Sequence, residues 1–542
     1  MKVQASLLCL AIASAIAVSS APADAAVLQK SAVIARANAL VGGNATLARR
    51  AAADAFVARD VIVDADGTEH VRFDRTYNGL PVIGGDMVVH ARNGKLAGVS
   101  QTLGTAARPG LNARVSRDQA IVEAGARFGT RFLGAPTART VIYAAGVAPV
   151  LAHEVVFNGI KADQTPTEMH YIVDAENGRI LNQWDGIHTA RPGAGSSGCT
   201  SPVAATGTGK TLTLGDVVLN TALCGSTYQM VDTTRGSGAT NNMAMKTSGM
   251  GTVYTGTTNI CGNNLLSNSQ TVAADAHYGI ATTWDYYKNT FGRNGIANDG
   301  KGAISRVHYG RNYANAFWSD SCFCMTFGDG DNGASILPLV ALDVAAHEMS
   351  HGVMSRTANL TYSGESGGLN EANSDIFGAM VEFYANNPED TADYVIGEEL
   401  FPNNADMRNA IRWMFKPSLD GVSKDCYYSG IGSIDVHYSS GPANHFFYLL
   451  AEGAVVPQGF GSGSWANLTP SALVCNGNTA LVGIGRTKAA AIWYKAITTY
   501  MTSSTNYAGA RAATLNAAAA LYGNGSSEYN AVAAAWSAVS VN

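Results

Sequence analysis

Charge is scarce in this chain of 542 residues. Asp, Glu, Lys and Arg make up 14% of it, and 36 basic residues stand against 41 acidic ones. Without a basic excess, neither nucleic acid nor an anionic membrane surface is an expected partner. Long apolar runs are missing as well. Past the N-terminus no stretch reaches the roughly 18 apolar residues that a membrane helix needs. Repeats and low-complexity tracts are absent, so a solenoid is not expected. The Cys322-x-Cys324 pair has no second pair near it, which argues against a zinc knuckle.

What is present points to an exported, folded protein. Hydrophobic residues make up 46%, enough to bury sizeable cores, and the length suggests two to four domains. Lys2, an apolar run from Leu7 to Val18 and a small-x-small end at Ala23-Asp24-Ala25 read as a cleaved secretory signal, residues 1–25. Cys9 leaves with it. Seven cysteines then remain (199, 224, 261, 322, 324, 426 and 475), and export permits disulfides while the odd count leaves one thiol over. The 59 glycines fit a loop-rich exported chain.

Residues 26–188 carry Asn-Gly dipeptides at 78, 93, 158 and 177 between short β-rich runs, a hairpin signal, and read as one or two small α+β units. Residues 189–207 lose hydrophobic periodicity and fill with Gly, Ser and Pro, as a linker or processing region does. Residues 208–345 read as β-rich with long loops. The pattern then turns helical through 346–542 and ends in alanine-rich segments that need a neighbouring helix to pack on. The expected fold class is α+β.

"AAHEMSHGV", residues 345–353, places His347 and His351 four apart. On a helix both imidazoles face one ion, and Glu348, about 100° round the axis, reaches the water beside it without becoming a ligand. A catalytic zinc needs a third protein ligand and an open fourth place. "SGGLNEANSDIFG", beginning at Ser366, offers Glu371 as that ligand, with Asp375 one turn later to fix a histidine tautomer.

The chain resembles the thermolysin family of zinc endopeptidases, and most nearly its elastase-like, vibriolysin-like branch from Gram-negative bacteria. The resemblance runs through "LDVAAHEMSHGV", "GGLNEANSDIFG", "DVHYSSGPANHFFYLL" and "GIGRTKAAAIWYKA". Residues 70–103 resemble the fungalysin/thermolysin-type propeptide. It implies a two-lobed catalytic domain with the zinc cleft between a β-rich and a helical lobe, preceded by an α+β propeptide. It makes His347, His351 and Glu371 the zinc ligands (the general reference set for this family), Glu348 the general base, and Asp375 and Asn370 their supports. His437, oriented by Asp435, and Tyr362 become oxyanion donors. Asn315 and Ala316 would bind the substrate backbone, Arg412 the carbonyl after the scissile bond, and Ile336, Leu339, Val344 and Ile411 a bulky apolar side chain. Asp343, Glu382 and Asp393 match carboxylates of one structural calcium, although Ala379 replaces an acid often found there and "NNPEDTAD" looks expanded. Cys224–Cys261 resembles a family bridge, and Cys426–Cys475 is a second pairing; Cys199, Cys322 and Cys324 are left open.

The expectation is therefore a secreted, monomeric zinc endopeptidase made as a zymogen. It acts on protein and peptide substrates, with its own propeptide as chaperone and inhibitor. Two other readings compete: a binding protein or adhesin on a dead protease scaffold, and a zinc hydrolase of another class, such as an esterase. Retention of Glu348 and His437 argues against the first, and the strand-like "NAFW" (315–318) against the second.

Overall fold

A computed structural model of the protein describes residues 23–186, 199 and 201–542. Most of the expected signal (1–22) and much of the linker (189–198 and 200) lie outside the described residues.

The N-terminal region joins two half-sheets into one ten-stranded sheet. In the first half, strands Glu69–Tyr77, Met87–Arg92 and Lys95–Gln101 form a meander. Helix Ala23–Gly43 buries Val33, Ala37 and Val41 against Val71, Phe73, Met87 and Val89 of that meander. In the second half, helix Arg117–Gly125 starts at a capping box of Ser116 and Gln119 and lays Ala120 and Ala124 on Val155, Phe157, Tyr171 and Val173. Strand Leu80–Ile83 joins the halves by pairing parallel to Ile142 and Tyr143.

Three of the four Asn-Gly dipeptides are turns. Asn78 and Asn93, each at positive φ with its glycine, close two-residue hairpins, and Asn177-Gly178 closes the turn from Asp174 to Arg179. Asn158-Gly159 is different, lying inside strand Val150–Ile160. A Cβ at Gly159 would come within 2.8 Å of Phe128 and 2.7 Å of Thr130, so this glycine serves close packing, not a turn.

The remainder has a β-rich part of a five- and a six-stranded sheet, and a helical part. Helix Ser269–Phe291, 23 residues long, lies within the stretch expected to be strands and loops. Its ends are well marked, with Asn268 capping the Gln270 N–H and Gly292 left-handed at the other end. Its Thr, Gly, His and Tyr content blurs the apolar stripe that sequence periodicity needs. The expected 345/346 boundary falls inside helix Leu342–Ser355, which belongs to both lobes. That helix packs tightly on both sides. A Cβ at Gly279 would stand 2.7 Å from Ala345, and one at Gly352 would stand 2.9 Å from Trp318.

Beyond it come helices Gly364–Ala385, Gly441–Glu452, Arg486–Thr499, Tyr507–Tyr522 and Ser527–Ala538. The alanine-rich helix buries Ala510, Ala513, Ala517 and Ala518, and Trp536 of its neighbour stacks on Phe446 with centroids 3.7 Å apart.

The disulfides correct one expectation. They join Cys199–Cys224, Cys322–Cys324 and Cys426–Cys475, leaving Cys261 free. Sheet register rules out Cys224–Cys261. Cys261 sits beside Gly209, itself opposite Val217, seven residues along the strand from Cys224. At about 3.3 Å per residue, the two sulfurs are far beyond bridging reach.

The N-terminal region docks on the helical part. Arg72, buried, donates to the carbonyls of Ile497, Thr498 and Met501 at the C-terminal end of helix Arg486–Thr499. Asp86 accepts from the Ser503 backbone N–H at 3.0 Å. A second contact lies at the β-rich part, where the Gln164 side-chain amide donates to Arg311 O at 2.7 Å and its oxygen accepts from Arg311 N–H at 2.8 Å.

Candidate active site

Helix Leu342–Ser355 aims two imidazoles at one point. Nε2 of His347 and Nε2 of His351 are 3.0 Å apart. Glu371, from helix Gly364–Ala385, brings Oε2 within 3.6 Å of His347 Nε2 and Oε1 within 3.3 Å of His351 Nε2. Tetrahedral zinc with ligands at ~2.0–2.1 Å holds neighbouring ligand atoms about 3.3 Å apart, which these separations bracket. Both Nδ1 atoms are engaged, on Asp375 Oδ1 and on Asn370 Oδ1, each at 2.9 Å. The Nε2 lone pairs therefore face the metal position. Glu371 is fully buried and its Oε2 has no hydrogen-bond partner, an arrangement costly without a cation. The donor set fits zinc.

Asp375 is the hub behind the ligands. Burial opposes its charge, but the Arg412 guanidinium, on both its oxygens at 2.7 Å, and His347 outweigh it and hold the carboxyl well below the usual range. Glu348 is 6% exposed and faces the cleft; burial pushes its carboxyl up, against the pull of the two histidines.

Opposite the zinc helix, Asp435 caps helix Val436–Ser439 and accepts from His437 Nδ1–H at 2.7 Å. The His437 side chain is 47% exposed, open to a ligand. Burial works against its charge, but Glu371 and Asp435 outweigh it and raise the imidazole. The Tyr362 hydroxyl donates to Glu371 and lies 3.3 Å from His437 Nε2.

His347, Glu348, His351, Tyr362, Glu371 and His437 line a cleft of about 260 Å³ together with all seven expected substrate-binding residues: Asn315, Ala316, Ile336, Leu339, Val344, Ile411 and Arg412. Phe317 and Trp318, from the expected edge strand 315–318, line it too, and so do Ala314 and Ile396, which the sequence reading does not single out. Ile396 belongs to the short strand pairing with Arg412, a contact with no local signature. Strand Ala316–Ser319 is the edge of its sheet, pairing only with Cys324–Gly328 among the described residues. Its outer side is free to accept another strand.

A second acidic group lies behind the site. Glu382, Asp390, Glu398 and Glu399 bring one oxygen each within 4.8 Å of one another. Of the three carboxylates expected to act together, only Glu382 belongs to this group. Asp343 is tied to the backbone N–H groups of Val344 and Gly397, and Asp393 to that of Val395. Asp390, Glu398 and Glu399 were missed because they arrive from an irregular loop and a 3-10 turn with no fixed spacing to Glu382.

Comparison with known proteins agrees with this geometry. The thermolysin metallopeptidase catalytic domain matches residues 206–355, its alpha-helical domain 358–541, and the fungalysin/thermolysin propeptide motif 54–103. The chain belongs to the thermolysin family of zinc metallopeptidases. It is 48% identical over 496 residues to the transglutaminase-activating metalloprotease of Streptomyces mobaraensis, an alignment covering 90% of this chain and 61% of that relative. It is 36% identical over 507 residues to a thermolysin of a Bacillus species (88% of this chain, 84% of the relative). With bacillolysin of Bacillus cereus it shares 36% over 527 residues, 91% and 86% of the two chains.

Proposed function

We propose that the protein is a secreted endopeptidase, made as a zymogen, that cuts peptides on the N-terminal side of bulky apolar residues. The observation carrying this reading is the aliphatic cleft wall of Ile336, Leu339, Val344, Ile396 and Ile411 immediately beside the His347–His351–Glu371 triad. A peptide added as a strand along Ala316–Ser319 would bring its scissile carbonyl over the triad and the next side chain against that wall. Zinc, when bound, supplies a Lewis acid that makes water a nucleophile at neutral pH and polarises the carbonyl. Glu348 takes the proton from the attacking water and passes it to the leaving nitrogen. His437, backed by Asp435, and Tyr362 donate to the oxygen as it becomes negative. Tyr362 exchanges its bond to Glu371 for that oxygen, and Arg412 holds the following carbonyl.

The basic, apolar N-terminus supports export, and the propeptide motif supports removal of residues 26–188 within 189–207. We assign calcium to the second acidic group. Unpaired buried oxygens on Glu382, Asp390, Glu398 and Glu399 support a hard cation with several oxygen ligands. No observation favours the binding-protein reading, since Glu348 and His437 both face the cleft.

The test is product analysis of a defined peptide set. New N-termini should be Leu, Phe, Ile or Val, and a zinc chelator should stop cleavage. Charged or small new N-termini, or hydrolysis indifferent to the chelator, would overturn the reading.

A further inference from the structure

The contact between the propeptide and the catalytic part contains two buried histidines that share a hydrogen bond. His70 and His90 stand opposite each other on paired strands of the first propeptide half, with Nδ1 to Nδ1 2.7 Å. They are 3% and 8% exposed. His70 Nε2 faces Asp64 Oδ2 at 2.9 Å, and His90 Nε2 faces Ser100 Oγ at 2.8 Å. The catalytic part closes over them. Lys495 Nζ reaches Asp64 Oδ1 at 2.5 Å and lies 3.5 Å from His70 Nε2. The Tyr500 ring covers His90 at 5.0 Å and His70 at 5.9 Å. The other charges facing the pair are Arg72, with Asp86 beyond it, and the rim pair Asp66–Arg92.

Two Nδ1 atoms 2.7 Å apart hold one hydrogen between them. A second proton there would set two N–H groups head to head, sealed from water, among the positive charges of Lys495 and Arg72. Asp64 is already paired with Lys495 and His70, and Asp86 with Arg72.

We propose that the His70–His90 pair, seated against Asp64, Lys495 and Tyr500, is a proton-sensitive latch that holds the propeptide to the catalytic part and opens as the medium acidifies.

The charges around the pair fit this. His90 is held down to about 3 by burial first and then by His70, Lys495 and Arg72. Asp64 is held down to about 2, burial opposing and His70 and Lys495 prevailing, so it does not neutralise before the histidine. On undocking, His90 meets water and returns to an ordinary value near 6.5. The docked state then binds one proton fewer. Docking is full above about 6.5 and weakens by about tenfold per pH unit below it, down toward the docked value.

The latch rests on the zymogen reading only for its biological sense. It is tested on the intact full-length chain, made unable to cut itself by Glu348→Gln, so that a failed zymogen reading and a failed latch are distinguishable. Hydrogen exchange is followed from pH 7.5 to 4.5 and corrected for intrinsic rates. Protection of segments 87–92 and 495–505 should fall about tenfold per unit below pH 6.5, while helix Tyr507–Tyr522 stays unchanged. His90→Asn, whose amide can still donate to His70 Nδ1 but cannot take the proton, should flatten the curve. Constant protection of both segments in the parent overturns the latch, and this holds even if His90→Asn does not fold. An undiminished slope in His90→Asn overturns it too, because the proton is then taken elsewhere.

Discussion

Asn444 donates to Asp375 Oδ2 at 2.7 Å, and both residues are buried. This bond ties the helix Gly441–Glu452, which continues from the turn carrying His437, to the helix that carries Glu371. Asp375 in turn sets the His347 tautomer. Asn444→Ala should therefore loosen a zinc ligand from two bonds away. Zinc affinity should fall by about 10–100-fold, the usual cost of losing such support. Stability should fall by about 1–3 kcal/mol, because one Asp375 oxygen loses a buried donor. Competition with a chelator and thermal unfolding measure the two effects. Unchanged zinc affinity would show that Arg412 alone suffices to fix Asp375.

The buried acids give a prediction of opposite sign in pH from most carboxylates. In the metal-free protein, burial first and neighbouring acids next push Asp343 and Asp393 up to about 7 and Glu399 up to about 9. Their folded values thus exceed the unfolded ones near 4. The contribution to stability is full below about pH 4 and is lost as pH rises through 7 toward 9. With a calcium-selective chelator, Tm should fall between pH 5 and pH 8. Calcium at a hundred times its Kd should restore about 2.7 kcal/mol at pH 8, several degrees in Tm. A chelated protein equally stable at both pH values would overturn the raised carboxyls, and no gain in Tm on adding calcium at pH 8 would remove the cation from this group.

How much of this was readable in the sequence depended on chain distance. His347, Glu348 and His351 lie within one helical turn and a third, so spacing alone presents them together, and Glu371 and Asp375 repeat the same i, i+4 logic on the next helix. The edge strand at Asn315–Trp318 and the pocket residues became legible only through family resemblance, since nothing local links Ile336 to Ile411. Elements whose position is set by other parts of the chain were misread. Helix Ser269–Phe291 hides behind polar residues that face its neighbours, and the acids at 390, 398 and 399 are gathered by a loop. The Cys224–Cys261 pairing failed for the same reason, because β-register, invisible in spacing, keeps the two apart.

Thiol chemistry checks that register directly. Peptide mapping without reduction should recover Cys199–Cys224, Cys322–Cys324 and Cys426–Cys475 as linked pairs. Burial pushes the Cys261 thiol up to about 11, so it should resist alkylation in the folded protein and react fully once unfolded. Replacing both Cys426 and Cys475 by Ala, which opens a loop of 49 residues, should cost about 2–5 kcal/mol. A recovered Cys224–Cys261 peptide would mean that the strand Ile260–Gly262 pairs elsewhere.

Two histidines of the cleft should respond differently to removal. His351 supplies one of three ligand atoms, and its Nδ1 is already held by Asn370. His351→Ala should lose zinc and hydrolysis together. His437 stands on the far side, its ring fixed by Asp435, and is not among the ligand atoms of His347, His351 and Glu371 that gather at the metal position. His437→Ala should keep its zinc. What it loses is a donor to charge that develops during attack, and such donors are worth about 10²–10³ in kcat. KM should move little, because the ground-state carbonyl carries less charge than the tetrahedral species. Metal analysis and steady-state kinetics on the two purified variants separate the roles. If His437→Ala sheds zinc, or keeps kcat and alters only KM, the histidine is not the oxyanion donor, and Tyr362, 3.3 Å from it, must be tested alone.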